Sequence, residues 1–103
     1  MPDKILLNIG GIRQETTRAT LEKSPYFNRQ LDRTTKTHFE SDGSIFINRD
    51  GTHFRHILNY LRDGKVPKYL KPEHVDQLIS EAQFYEIPEL VVKLQSSMNP
   101  GIG

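Results

Sequence analysis

The chain has 103 residues, with 14 basic and 13 acidic side chains, a net charge of +1, and no cysteine. That length is one domain, and so even a charge balance argues against nucleic acid as a partner. The missing cysteines exclude disulfides and thiolate metal sites and favour an intracellular setting. No apolar run reaches bilayer length and no signal peptide is visible, so direct membrane contact is not expected either.

Lys4 to Ile9 reads as a strand and Ile12 to Thr17 as its partner, joined by Gly10-Gly11, a pair suited to a tight hairpin that needs positive φ. The register sets Asn8 opposite Arg13, Leu6 opposite Glu15, Leu7 opposite Gln14 and Ile9 opposite Ile12. One ribbon face is then mainly apolar (Ile5, Leu7, Ile9, Ile12). The other carries Lys4, Asn8, Arg13, Glu15 and Thr17, with Leu6. Thr17 is placed to cap a short helix through Leu21 that Ser24-Pro25 stops. Tyr26 to Leu31 adds a turn, Asp32 to Lys36 is a polar loop, and Asp42-Gly43 is a turn before a strand at Ser44 to Asn48.

Asp50 reads as the cap of a helix with Phe54, Ile57, Leu58 and Leu61 at helical spacing, Arg62 in its last turn and Gly64 as its stop. Pro72 opens a further helix with Val75, Leu78, Ile79 and Ala82 on one face and Phe84-Tyr85 near its end. Ile87-Pro88 breaks it and starts the last helix, whose face carries Val91, Leu94 and Met98. Strands come early and helices late, which argues for an α+β fold.

Glycine pairs behind a strand often cradle phosphate, but "GGIRQET" has neither the G-x-G-x-x-G nor the G-x-x-x-x-G-K-[ST] spacing, and a strand follows instead of a helix. His53 and His56 share one side of a helix, yet His38 and His74 have no local spacing to the pair, so no zinc ligand set is expected. With Arg55, Asn59 and Arg62 the two histidines read as a solvated face. There is no cysteine nucleophile, no G-x-S-x-G elbow and no paired carboxylates, so no catalytic residue, cofactor or metal is expected. Phe54, Phe84 and Phe46 are expected in the core. Tyr26, Tyr60 and Tyr85 are the more open aromatics, because tyrosine is enriched where an interface has one wet end.

Three segments carry a family likeness. "LLNIGGIRQETTRATL" resembles the L-N-V-G-G-x-x-[FY]-x-T-T-x-x-T-L opening of the BTB/POZ domains in the potassium channel tetramerisation domain (KCTD) family. "DGSIFINRDGTHFRHILNYLRDGKVP" and "LISEAQFYEIPELV" are similar to that family's G-x-φ-φ-I-D-R-x-x-x-x-F-x-x-I-L-N-Y-L-R-x-G and L-x-E-A-x-F-Y-x-I-x-x-L segments, in the same order. Gln14 stands where the family usually has an aromatic, Asn48 where it has aspartate, and Gly51 where it often has proline.

The resemblance implies a small BTB/POZ fold over residues 1–98, with a short three-stranded sheet (the hairpin plus one strand) against a helical cluster and 99–103 as a disordered tail. It implies self-association into a closed ring of roughly four or five subunits. Asn8, Arg13, Thr17, Arg49 and Asp50 are then the candidates for the subunit contact. It also implies an adaptor that docks the N-terminal region of cullin-3 in a ubiquitin ligase, with Tyr26, Phe27, Phe84 and Tyr85 as candidate docking residues, in the cytoplasm or nucleus. The rival readings are the cytoplasmic assembly domain of a potassium channel, whose relatives are close to this family, and a non-ligase scaffold.

Overall fold

The computed structural model describes residues 4–32 and 39–98. Part of the expected polar loop, His38 and the expected tail at 99–103 lie outside the described residues, as does the side chain of Met98. The expected α+β architecture is what the chain adopts: a three-stranded sheet in the order β2-β1-β3 with helices packed on one side.

Strands β1 (Lys4–Ile9) and β2 (Ile12–Thr17) pair antiparallel in the expected register, with Asn8 opposite Arg13 and Ile9 opposite Ile12. Gly10 and Gly11 take φ of 58° and 102°, the left-handed pair that a two-residue hairpin requires. Thr17 caps α1 (Arg18–Leu21), its Oγ1 accepting from the Thr20 amide at 3.3 Å. Ser24 and Pro25 do more than stop this helix. Ser24 is the N-cap of α2 (Pro25–Gln30) and Pro25 opens it, where a missing amide hydrogen costs nothing.

The chain then returns to lay β3 (Ile45–Ile47) parallel to β1, with Leu7, Asn8 and Ile9 beside Ile45, Phe46 and Ile47. The Asp42-Gly43 turn before it is fastened by Asp42 Oδ1, which accepts from the Ser44 amide at 3.0 Å and its hydroxyl at 2.6 Å. Helix α3 (Phe54–Asp63) ends on Gly64 at φ 75°. Helix α4 (Pro72–Phe84) starts on its proline, and α5 (Pro88–Met98) follows the expected break.

The core lies between the inner sheet face and the helices. Leu7 and Ile9 of β1 and Ile45 and Ile47 of β3 meet Phe54, Ile57 and Leu61 of α3, Leu78 and Ala82 of α4, and Leu90 and Leu94 of α5. On α5 the buried stripe runs through Leu90 and Leu94, with Val91 at its margin.

Three expectations fail here. Asp50 is not the cap of α3: that position is His53, which makes no side-chain cap bond. Asp50 Oδ1 instead accepts from the amide and hydroxyl of Thr52 at 2.9 and 2.6 Å, a turn just upstream of the helix. Phe46 is not core, because β3 alternates and Ile45 and Ile47 hold the inward positions; its ring is 45% exposed on the outer sheet face. Tyr85 is not an open tyrosine but is wholly buried. Gly51 is held by close approach: a Cβ there would lie 2.4 Å from the carbonyl oxygen of Ile9.

Candidate functional site

The aromatic side chains gather where α2 meets the end of α4. Phe27 and Tyr85 stack nearly parallel at 5.2 Å between ring centroids, and Phe54 closes on both edge-on at 6.0 and 5.1 Å. All three rings are shielded from solvent. Over them sit Tyr26 and Phe84, half-buried and 4.8 Å apart, which form the outer layer. Ser24, fully buried, ties the layers together: its hydroxyl donates to the Tyr85 carbonyl at 2.6 Å and accepts from the Phe27 amide at 3.3 Å.

Arg49 clamps this patch from the loop after β3. Its Nε and Nη2 donate to the two carboxylate oxygens of Glu81 at 3.1 and 2.7 Å, a fork-on-carboxylate pairing that fixes the guanidinium plane. The same guanidinium lies 4.4 Å from the centre of the Phe84 ring, a cation–π contact. On the other flank Arg29 forms a two-pronged ion pair with Glu86, whose φ of 58° turns the chain between α4 and α5. Burial pushes the Tyr26 phenol up against the opposing pull of Arg29 and Arg49. Burial, with nearby Glu81, pushes the Tyr85 phenol up as well. The Tyr85 hydroxyl has no hydrogen-bond partner among the described residues.

Of the four docking candidates, Tyr26 and Phe84 therefore present surface, while Phe27 and Tyr85 act as the floor beneath them. The five residues named for the subunit contact do not form one group. Asn8 and Arg13 are cross-strand partners on the outer sheet face. The Asn8 side chain accepts from the Gly11 amide at 2.7 Å, and Arg13 pairs with Asp42 at 2.6 Å. The two bonds from Ser44, with a smaller contribution from Arg13, lower the Asp42 carboxyl to about 2. Thr17, opposite Lys4, lies on the same face and caps α1, Asp50 is engaged in its turn, and Arg49 lies beside the aromatic patch. The outer sheet face also carries Phe46, beside Asn8, which the period-two alternation of Ser44, Phe46 and Asn48 could have revealed.

The histidines are placed differently from what spacing implies. His53 is buried rather than solvated, its Nε2 lies 2.8 Å from Gln77 Oε1, and its ring centre is 5.2 Å from that of His74 and 6.3 Å from that of His56. The packing of α3 on α4 brings in His74, which local spacing cannot anticipate. No group of three or more His, Cys, Asp or Glu among the described residues is arranged to hold a metal ion.

Burial, then Arg55 and His53, hold His56 below its ordinary 6.5. The unfolded chain therefore takes up this proton first. Stability present above pH 6.5 is lost as pH falls through the lower folded value. The depressed carboxyls of Asp42, Asp50 and Glu86 act only below their unfolded values of 3.8, 3.8 and 4.5, so the two windows separate. Thermal melts between neutral pH and about pH 5 should show a falling midpoint that His56→Gln flattens.

With this geometry in place, comparison with known proteins identifies the family. The BTB/POZ domain family matches residues 5–95. Human BTB/POZ domain-containing protein KCTD14 is 39% identical over 97 residues, covering 92% of this chain and 36% of that protein. The zebrafish (Danio rerio) BTB/POZ domain-containing adapter for CUL3-mediated RhoA degradation protein 1 is 35% identical over 95 residues, 91% of this chain and 29% of that protein. The bovine (Bos taurus) SH3KBP1-binding protein 1 is 43% identical over 95 residues, 88% of this chain and 13% of that protein. The chain belongs to the BTB/POZ domain family, in its KCTD branch, and is a protein-interaction module. It spans about a third or less of the length of these relatives. Among the described residues no helix is long and apolar enough to cross a membrane.

Proposed function

We propose that this domain is an oligomerising, non-catalytic adaptor module of the cytoplasm that docks the N-terminal region of cullin-3 through the surface formed by Tyr26 and Phe84. The supporting observation is the layered patch itself. Two half-buried aromatics stand on a fully buried ring stack and are clamped by the Arg49–Glu81 pair. A rigid aromatic anchor inside a charged rim is what a protein-binding hot spot requires. The name of the zebrafish relative, an adapter for CUL3-mediated degradation, points to the same class of partner. Co-elution of the cullin-3 N-terminal region with the domain on size exclusion is the expected result; separate elution at micromolar concentration would refute the docking.

Self-association through the outer sheet face is the second half of the proposal. Asn8, Arg13 and the exposed ring of Phe46 offer a mixed polar and apolar contact to a different face of the neighbour, a head-to-tail arrangement that makes a ring when its rotation closes, with roughly four or five subunits as the family resemblance implies. Arg13→Glu sets a second carboxylate against Asp42 and reverses the charge offered to the neighbour. It should reduce the mass measured by light scattering to that of smaller species, with the circular dichroism spectrum unchanged. An unaltered mass would remove Arg13 from the interface. A non-ligase scaffold is the alternative function; the bovine relative is named for binding another protein, SH3KBP1.

A further inference from the structure

The segment between α3 and α4 is a surface of a different kind. After Gly64 closes α3 through its amide to the Tyr60 carbonyl at 2.8 Å, the chain runs without helix or strand to Lys71, whose carbonyl accepts from the His74 and Val75 amides of α4. Val66 and Leu70 pack against the core and anchor the segment, and Pro67 stiffens it. Between these anchors Tyr69 is turned outward with its side chain fully exposed (100%) at a φ of 66°. A bulky residue is seldom found in the left-handed region, and none of the contacts that bury the other aromatics is present to account for it.

Lys65, Lys68 and Lys71 lie on either side of Tyr69 in sequence and are all exposed. None of them forms an ion pair among the described residues, as is also true of Lys23, Arg55, Arg62 and Lys93; what sets the segment apart is three such lysines within seven residues of an exposed tyrosine. Three exposed lysines thus lie within four positions of the most exposed aromatic of the described residues.

We propose that the Lys65–Lys71 segment is a docking site for an acidic, extended segment of a partner protein, with Tyr69 packing on an apolar side chain of that segment. The charge type favours carboxylates. Lysine is a point charge that accepts varied acid spacing, and the segment has no arginine to supply the forked, bidentate grip that favours phosphate. A lipid surface calls for clusters of about 4–8 basic side chains, and single-stranded nucleic acid for several stacking rings along a basic groove; this segment has neither. The site is separate from the cullin surface proposed above, because α4 puts roughly 20 Å between Lys71 and Phe84.

The probe is a fluorescein-labelled synthetic peptide of glutamates with one central leucine, followed by anisotropy against the intact chain. Binding that weakens with added salt is expected, with a loss of about tenfold in Tyr69→Ala and in Lys68→Glu. Tyr69→Gly should lose binding equally while melting no lower than the wild type, since glycine accepts this φ freely. Variants that bind as the wild type does, or a peptide that does not bind at all, would overturn the proposal. Retention of the chain on phosphatidylserine vesicles or an RNA oligonucleotide in preference to the peptide would also overturn it.

Discussion

Gly10→Ala is expected to unfold the domain or bring it close to unfolding. Two effects combine at this position. The φ of 58° disfavours any L side chain, and a Cβ would lie 2.2 Å from the carbonyl oxygen of Arg49, a backbone atom that cannot move aside alone. The left-handed conformation costs about 1–2 kcal/mol and overpacking a further 1–3 or so, giving roughly 2–5 kcal/mol in all. For a domain of this size each kcal/mol shifts the melting midpoint by about 4–8 °C. A melt followed by circular dichroism, at matched protein concentration because assembly adds to stability, should therefore move down by about 10 °C or more. A shift of only a degree or two would mean that the β3–α3 loop yields easily. By contrast a Cβ on Gly11 would meet nothing within 4 Å, so alanine there faces only its conformational strain.

The contrast marks how far the sequence could be read. The glycine pair, the alternation on either side of it and the threonine after it were enough to define the hairpin, its register and the cap of α1, because each rests on neighbours a few residues apart. The pressure of Arg49 on Gly10 was not legible, nor was the grip of Arg49 on Glu81, which lies 32 positions further along the chain. Arg49, named from sequence only as a subunit-contact candidate, lies beside the aromatic patch in space. Residue type misleads in two other places. Phe46 is hydrophobic yet outward-facing, because the pleat had already assigned Ile45 and Ile47 to the core. Tyr85 carries a hydroxyl that suggests a wet edge, yet it lies under Tyr26 and Phe84 with that hydroxyl unpaired among the described residues.

Phe27→Ala is the second substitution with a large expected effect, and it separates the floor of the patch from its surface. Phe27 has no exposed area and contacts Tyr26, Phe54 and Tyr85. Truncating a buried phenylalanine costs about 3–5 kcal/mol through lost transfer energy and the cavity left behind. The midpoint should fall by more than about 12 °C, and the docking surface should loosen with it. Phe84→Ala should behave differently. This ring is half-buried and loses mainly its contacts with Tyr26 and Arg49, so roughly 1–2 kcal/mol of stability is at stake and the fold survives. Similar melting losses for the two variants would show that Phe84 is as deep in the core as Phe27.

Because Phe84→Ala leaves a folded domain, it permits the decisive measurement. Calorimetric titration of the purified cullin-3 N-terminal region into the domain should give heat with a micromolar dissociation constant. Phe84→Ala and Tyr26→Ala should each weaken it by more than about tenfold while retaining the wild-type circular dichroism spectrum. Heat no greater than dilution for the wild-type domain, or equal affinity in both variants, would contradict the assignment of this patch as the adaptor surface.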